Sequence, residues 1–349
     1  MPRIPVLILL LAALLPTTSL LVSQEKSADA EKPLAPIAAA KAFLATLDAE
    51  QKSKASLEYG SEQRVGWHFI PMETRKGVAL KDMKPEQQSA ARALLRAAVS
   101  QLGYDKASTI MQLESILLQL EGPTSEGRRD PLKYYFTLFG KPAKGQAWGL
   151  GVEGHPVWLN FSPKGNQIVD PTRQFMGATP AELKDNYGEF KKGLRVLRTE
   201  EQLGFQILKS LDESQLAKAM LPGEVPSEIR AAGEPQPPTD APRGIAASDL
   251  NDDQKALLKK LITAYSSKMK AGVAKQRWEL IDQAGFDQIH FAWSGANKPG
   301  IGNYCAVQGS TFVIEFINVQ ADAAGNPANH IHCVWRDLQG DFDLPIAAK

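Results

Sequence analysis

Gly77-Val78-Ala79-Leu80-Lys81-Asp82-Met83 returns as Gly244-Ile245-Ala246-Ala247-Ser248-Asp249-Leu250, and this recurrence decides how the chain is read. Two further blocks recur in the same order. Leu47-Asp48-Ala49-Glu50-Gln51 matches Leu211-Asp212-Glu213-Ser214-Gln215, and Glu153-Gly154-His155-Pro156-Val157-Trp158-Leu159-Asn160-Phe161 matches Gln308-Gly309-Ser310-Thr311-Phe312-Val313-Ile314-Glu315-Phe316. Three ordered matches predict two related halves, residues 36–187 and 188–349, in place of one large unrepeated domain.

Each half follows one plan. Asp48 and Asp212 stand three residues before Gln51 and Gln215, the spacing of a capping box, with Leu47 and Leu211 just outside as the N′ residue. The next helix opens at Lys84-Pro85 and at Asn251-Asp252, where Pro suits N1 and Asn suits the N-cap. A third runs to Gly122 in one half and to Gly285 in the other, each Gly ending a helix as a C′ residue does. The period then changes to two. Strands are predicted over 133–139, 147–152 and 157–162, and again over 288–293, 303–308, 311–318 and 329–336. About three helices followed by antiparallel strands, twice over, is an α+β fold. The Pro-rich stretch 222–243 falls inside the second copy and reads as a surface loop.

Arg3 precedes the apolar run Ile4 to Leu15, and the polar chain begins near Gln24, the layout of a secretory signal peptide over 1–23 with a flexible stretch over 24–35. An uncleaved membrane anchor is the alternative. Export places the mature chain in a periplasmic or secreted, extracytoplasmic setting, with no membrane contact after cleavage. Without Arg3, the 40 basic and 39 acidic residues become 39 and 39, and the net charge is zero. That balance, with basic residues only in isolated pairs such as Arg128-Arg129, argues against nucleic acid as a partner. A small-molecule or polymeric ligand is the partner class left.

All five histidines fall where the two halves differ. His155 faces Ser310, His290 faces Tyr135, His68 has no counterpart, and His330 and His332 lie on a last strand whose first-half equivalent, near Gln174 to Met176, carries none. In a strand, His330 and His332 point to one face and Ile331 and Cys333 to the other. One buried imidazole is easily satisfied by a backbone carbonyl, which is the structural reading of His155 and His290. Two on one face ask for a shared partner, and zinc or copper is the economical one, with His68, His290 or Glu315 as the third ligand. Glu315, in an otherwise apolar strand, is expected to be a ligand, a general base or the ion-pair partner of Arg336. No P-loop, dinucleotide fingerprint, CxxC, HExxH, EF-hand or Gly-x-Ser-x-Gly elbow is present, and Gly149 to Gly154 reads as a bend.

Trp67-His68-Phe69-Ile70-Pro71, Glu153-Gly154-His155, His290-Phe291-Ala292-Trp293, Gln308-Gly309 with Phe312 to Glu315, and Asn329-His330-Ile331-His332 with Val334-Trp335-Arg336-Asp337 together resemble the bacterial proteins grouped as domain of unknown function 3500. The resemblance spans nearly the whole mature chain and carries no activity with it. The chain departs from that pattern at Pro156, where a second His commonly follows His155, and at Cys305 and Cys333, where Tyr and a hydroxyl residue are usual.

Two functional classes follow. One is an exported metal-dependent hydrolase, with His330, His332 and His68 or His290 on zinc or copper and Glu315 as the catalytic base. The other is a non-catalytic binding protein whose Trp67, Trp158, Trp293 and Trp335 line a groove between the halves, with His155 and Arg336 as polar contacts. Three histidines converging within metal distance distinguishes the first from the second. Export to an oxidising compartment also predicts a disulfide between Cys305 and Cys333, the only two cysteines, provided their strands are neighbours.

Overall fold

The computed structural model of the chain describes residues 35–164, 167–170 and 173–344. The predicted leader over 1–23 and nearly all of 24–35 lie outside them. The described residues form eight α-helices: α1 (Pro36–Thr46), α2 (Ala49–Ala55), α3 (Pro85–Ala98), α4 (Gln101–Glu121), α5 (Arg198–Ser210), α6 (Glu213–Ala219), α7 (Asp252–Ser266) and α8 (Ala271–Ala284). Four lie on each side of the chain's midpoint, one more than predicted, with short two-residue strands between the second and the third. The additional ones are α1 and α5, which neither capping box announces.

The local signals act as expected. Asp48 caps α2 by accepting from Gln51 N at 2.8 Å, and Asp212 caps α6 by accepting from Gln215 N at 2.9 Å. Each glutamine then reaches onward: Gln51 Nε2 donates to the Asp82 carbonyl at 3.0 Å and to Gln87 Oε1 at 3.2 Å, and Gln215 Nε2 donates to the Asp249 carbonyl at 2.9 Å and to Gln254 Oε1 at 3.0 Å. The glycines of the recurring stretch are obligatory. Gly77 and Gly244 have φ of 91° and 98°, and an added Cβ would collide with the carbonyls of Phe136 and Phe291.

The strands are β1 (Ser56–Leu57), β2 (Val78–Ala79), β3 (Tyr135–Phe139), β4 (Gly149–Gly154), β5 (Val157–Lys164), β6 (Gln167–Asp170), β7 (Gln174–Ala178), β8 (Ile245–Ala246), β9 (His290–Gly295), β10 (Asn303–Gln308), β11 (Phe312–Gln320) and β12 (His330–Asp337). They make one mixed sheet in the order β1-β3-β4-β5-β7-β12-β11-β10-β9-β8, with β2 on β3 and β6 on β5. Only the β1–β3 pair is parallel. The two strand groups meet where β7 pairs antiparallel with β12, Gln174 opposite Trp335 and Met176 opposite Cys333.

Alternation divides the side chains between two layers. Leu159, Phe161, Ile314, Phe316, Ile331 and Trp335 join the large core with the helices. Trp158, Phe175, Val334, Tyr304 and Ile317 face the other way, into a smaller core that Trp67, Phe69 and Ile229 close from loops 58–77 and 221–244. The Pro-rich stretch is therefore more than a surface loop. Ile229 is buried in that second core, and the segment's carbonyls accept from arginines of the sheet.

Candidate functional site

The loop face of the sheet carries the protein's unusual chemistry, because buried charge collects there. One row across the strands, fixed by the pairing, runs Glu153, Trp158, Phe175, Val334 and Glu315. Glu153 lies on the floor of a cleft of about 390 Å³ between β4, β5 and the loop that bears His68, Arg75 and Lys76. Lys76 Nζ stands 2.5 Å from Glu153 Oε1, donates to the Gly66 carbonyl at 2.8 Å, and lies 4.3 Å from the Trp158 ring. Arg75 is 4.0 Å from the other carboxylate oxygen and donates to the His68 and Ile70 carbonyls. Burial lifts the Glu153 carboxyl to about 7 against the pull of Lys76 and Arg75, and burial likewise lowers the Lys76 ammonium. Trp158 is fully buried, and its Nε1–H has no hydrogen-bond partner.

His330 and His332 share the loop face, as the strand alternation predicts. His332 packs its edge on Phe69, 4.8 Å between centroids, and Phe69 stacks on Phe175. Glu228, from the Pro-rich loop, accepts from His332 Nδ1 at 2.7 Å, and the Nε2 atoms of His332 and His330 are 3.1 Å apart. One ring must donate and the other accept at that Nε2 contact, so at most one of the two imidazoles carries both of its protons. Burial, reinforced by the neighbouring His332, pushes the His330 imidazole down to about 3. The spacing suits two ligands of one metal, but the third ligand predicted for it is absent. His290 is three strands away, about 14 Å at ordinary strand spacing, and bonds the Gln288 carbonyl through Nδ1. His68 is exposed on the cleft's rim. Among the described residues, no group of three or more His, Cys, Asp and Glu side chains is placed to hold a metal ion.

Glu315 is fully buried and paired, though not with Arg336. It accepts from Tyr304 Oη at 2.5 Å, from Arg230 Nε at 3.0 Å and from the Arg230 backbone N–H at 3.2 Å. Arg336 turns to Asp341, donating through Nε to Oδ2 at 2.8 Å, and Arg173 donates to the same oxygen through Nη2 at 2.9 Å. Arg173, Arg336 and Asp341 are all at 0% exposure. The carbonyls of Ala231 and Glu234 also accept from Arg336, and that of Pro235 accepts from Arg173, which ties the Pro-rich loop to the sheet's midline.

The other predicted contacts separate. Trp67 and Trp158 meet on the loop face with centroids 6.4 Å apart, whereas Trp293 packs on Phe205 and Trp335 stacks on Phe312 in the helix layer. A single groove lined by all four is excluded by the pleat. His155 sits in the β4–β5 turn, its Nδ1 2.6 Å from Glu114 Oε1 of α4 and 3.0 Å from Arg129 Nη1. Burial lifts Glu114 to about 8 and, with Arg129, keeps His155 well below its ordinary value. Cys305 and Cys333 are free thiols. Both lie opposite Phe316, on the two strands flanking β11, so their Cα atoms are about 10 Å apart, too far for a bridge. They do lie on the face opposite the histidine pair. A larger groove of about 530 Å³ between α5 and α7 holds neither acid, imidazole nor aromatic ring.

A family model described as Protein of unknown function (DUF3500) matches residues 31–344. The chain belongs to the DUF3500 family. Comparison with curated proteins and with solved structures finds no match. Within this DUF3500 member the departure at Pro156 has a structural address: an added Cβ on Gly177 would strike Pro156, and Gly177 is the strand partner of His332. Position 156 is thus beside the imidazole pair, and a proline there supplies no donor. The residues missed from sequence are Arg75, Lys76, Arg173, Glu228, Arg230 and Asp341. Five of the six lie on irregular loops or turns, where no periodicity marks them. The one available signal was the Arg75-Lys76 pair directly before the recurring glycine.

Proposed function

We propose that this DUF3500 protein is an exported, non-catalytic ligand-binding protein whose site is the cleft between loop 58–77 and strands β4 and β5. The observation that carries the reading is the Lys76–Glu153 ion pair, with side chains 11% and 2% exposed, on the floor of a cleft. Burying an ion pair is costly, and well-packed apolar residues hold a fold at least as well. A pair kept at a cleft floor, with a shifted carboxyl and an unpartnered indole N–H beside it, is placed to recognise a polar ligand. The metal-dependent hydrolase reading lacks a third ligand for His330 and His332 among the described residues. The recurring capping boxes, glutamine contacts and glycines support a second part of the proposal, that the two halves arose by duplication and the cleft belongs to the first.

Soaking crystals with a panel of small polar fragments tests the site. Fragments are expected to gather between Lys76, Glu153 and Trp158. Fragments that gather elsewhere and leave this cleft empty would overturn the reading.

A further inference from the structure

Resting on that reading, we infer that the cleft selects a monoanionic organic acid and holds its carboxylate against Lys76 and Arg75. The floor has two cations and one acid. Lys76 has three N–H donors, of which the Gly66 carbonyl takes one at 2.8 Å, with Glu153 Oε1 as its ion-pair partner at 2.5 Å. Trp158 Nε1–H is buried without a partner, and Arg75 has five N–H donors, of which the His68 and Ile70 carbonyls take two. Against these donors the floor sets one carboxylate, Glu153, whose Oε1 also has no hydrogen-bond partner, so donors outnumber acceptors. Its formal charge of two cations less one carboxylate matches a single negative charge, and a dianion such as a phosphate monoester would be left undercompensated. Arg173, 4.5 Å over the Trp67 ring, adds positive potential behind the floor. Met72 and His68 line the exposed wall and offer apolar and aromatic contact to the body of the acid.

Benzoate, its neutral isostere benzamide, and benzylammonium are the probes, titrated into the full chain at pH 8 and low salt with tryptophan fluorescence and calorimetry as readouts. Benzoate is expected to bind at least ten-fold tighter than benzamide, and benzylammonium weakest. Lys76→Met should weaken benzoate at least ten-fold and benzamide by less than two-fold. Glu153→Gln removes the competing negative charge and should tighten benzoate several-fold, a gain that misfolding does not produce. Benzamide or benzylammonium binding as well as benzoate, with all three sensitive to Lys76→Met, would overturn the anion selectivity and leave the cleft standing. No binding by any probe, or binding indifferent to both substitutions, would overturn the selectivity and the cleft together.

Discussion

Asp341→Asn is the most informative single change, because it neutralises the carboxylate that two buried arginines share and barely alters its size. Oδ2 accepts from Arg173 Nε at 3.3 Å, Arg173 Nη2 at 2.9 Å and Arg336 Nε at 2.8 Å, while Oδ1 accepts from the Asp337 backbone N–H at 3.1 Å. Removing one partner of a buried charge pair costs about 3–5 kcal/mol, since the guanidinium left behind cannot recover its hydration. Folded domains are stable by roughly 5–15 kcal/mol, so this is about a fifth of the total or more. With a urea slope near 3 kcal/mol/M for a chain of this size, the unfolding midpoint should fall by about 1–1.7 M. Asp341→Ala should cost about the same, because loss of charge dominates over shape. The deficit should also persist in 0.5 M salt, since a buried pair is screened little. A midpoint for Asp341→Asn equivalent to less than about 1 kcal/mol, or a deficit abolished by salt, would refute the buried-charge account.

Gly77→Ala and Gly244→Ala should each destabilise by more than about 1 kcal/mol and by similar amounts, measured by thermal unfolding, since both force a Cβ onto a carbonyl at positive φ. Thiol titration of the native protein should find Cys305 and Cys333 unreactive, and two thiols should appear on unfolding; a blocked pair after unfolding would restore the bridge. Glu153, faced by Lys76 and Arg75, holds its proton up to about pH 7 when folded but releases it near 4.5 when unfolded, so its contribution is full below pH 4.5 and lost as pH rises through 7. Between pH 4.5 and 8 the parent should therefore lose about 3 kcal/mol relative to Glu153→Gln, and parallel pH–stability curves would contradict this. His332→Ala should release loop 58–77 and loop 221–244 together, seen as faster amide exchange in both, because His332 touches Phe69 on one and Glu228 on the other.

What was legible in the sequence was local or periodic. Strand β10 lies at 303–308 as predicted, β3, β4, β5, β9, β11 and β12 fall within two residues of their expected limits, the glycine-bearing stretch 149–154 forms β4 and not a bend, and the capping boxes at Asp48 and Asp212 open α2 and α6. Helices α1 and α5 escaped because Ala35 and Leu197, their N-caps, make no side-chain cap hydrogen bond, which left only the weaker marks of Pro36 in the first turn of α1 and Glu200 and Glu201 in that of α5. The face of His330 and His332 was readable from alternation, and so was the opposite face of Cys333. Which strand lies next to which was not, and that defeated the disulfide: β10 and β12 belong to the same half, but β11 runs between them.

The site was hardest to read because each of its charges is explained by a residue far away in the chain. Glu153 is matched by Lys76, His332 by Glu228, Glu315 by Arg230, and Arg173 by Asp341. In every pair one member lies on a regular strand or next to one, where alternation at least suggests a face. The other comes from a loop or from the turn after β12, where composition gives no direction. A sheet face covered by loops is thus legible by half. Its strands declare which acids and imidazoles will be buried, and only the folded chain shows which cations bury them. The partner decides the chemistry: Arg230 makes Glu315 a closed structural network, whereas Lys76 leaves Glu153 at the floor of a cleft.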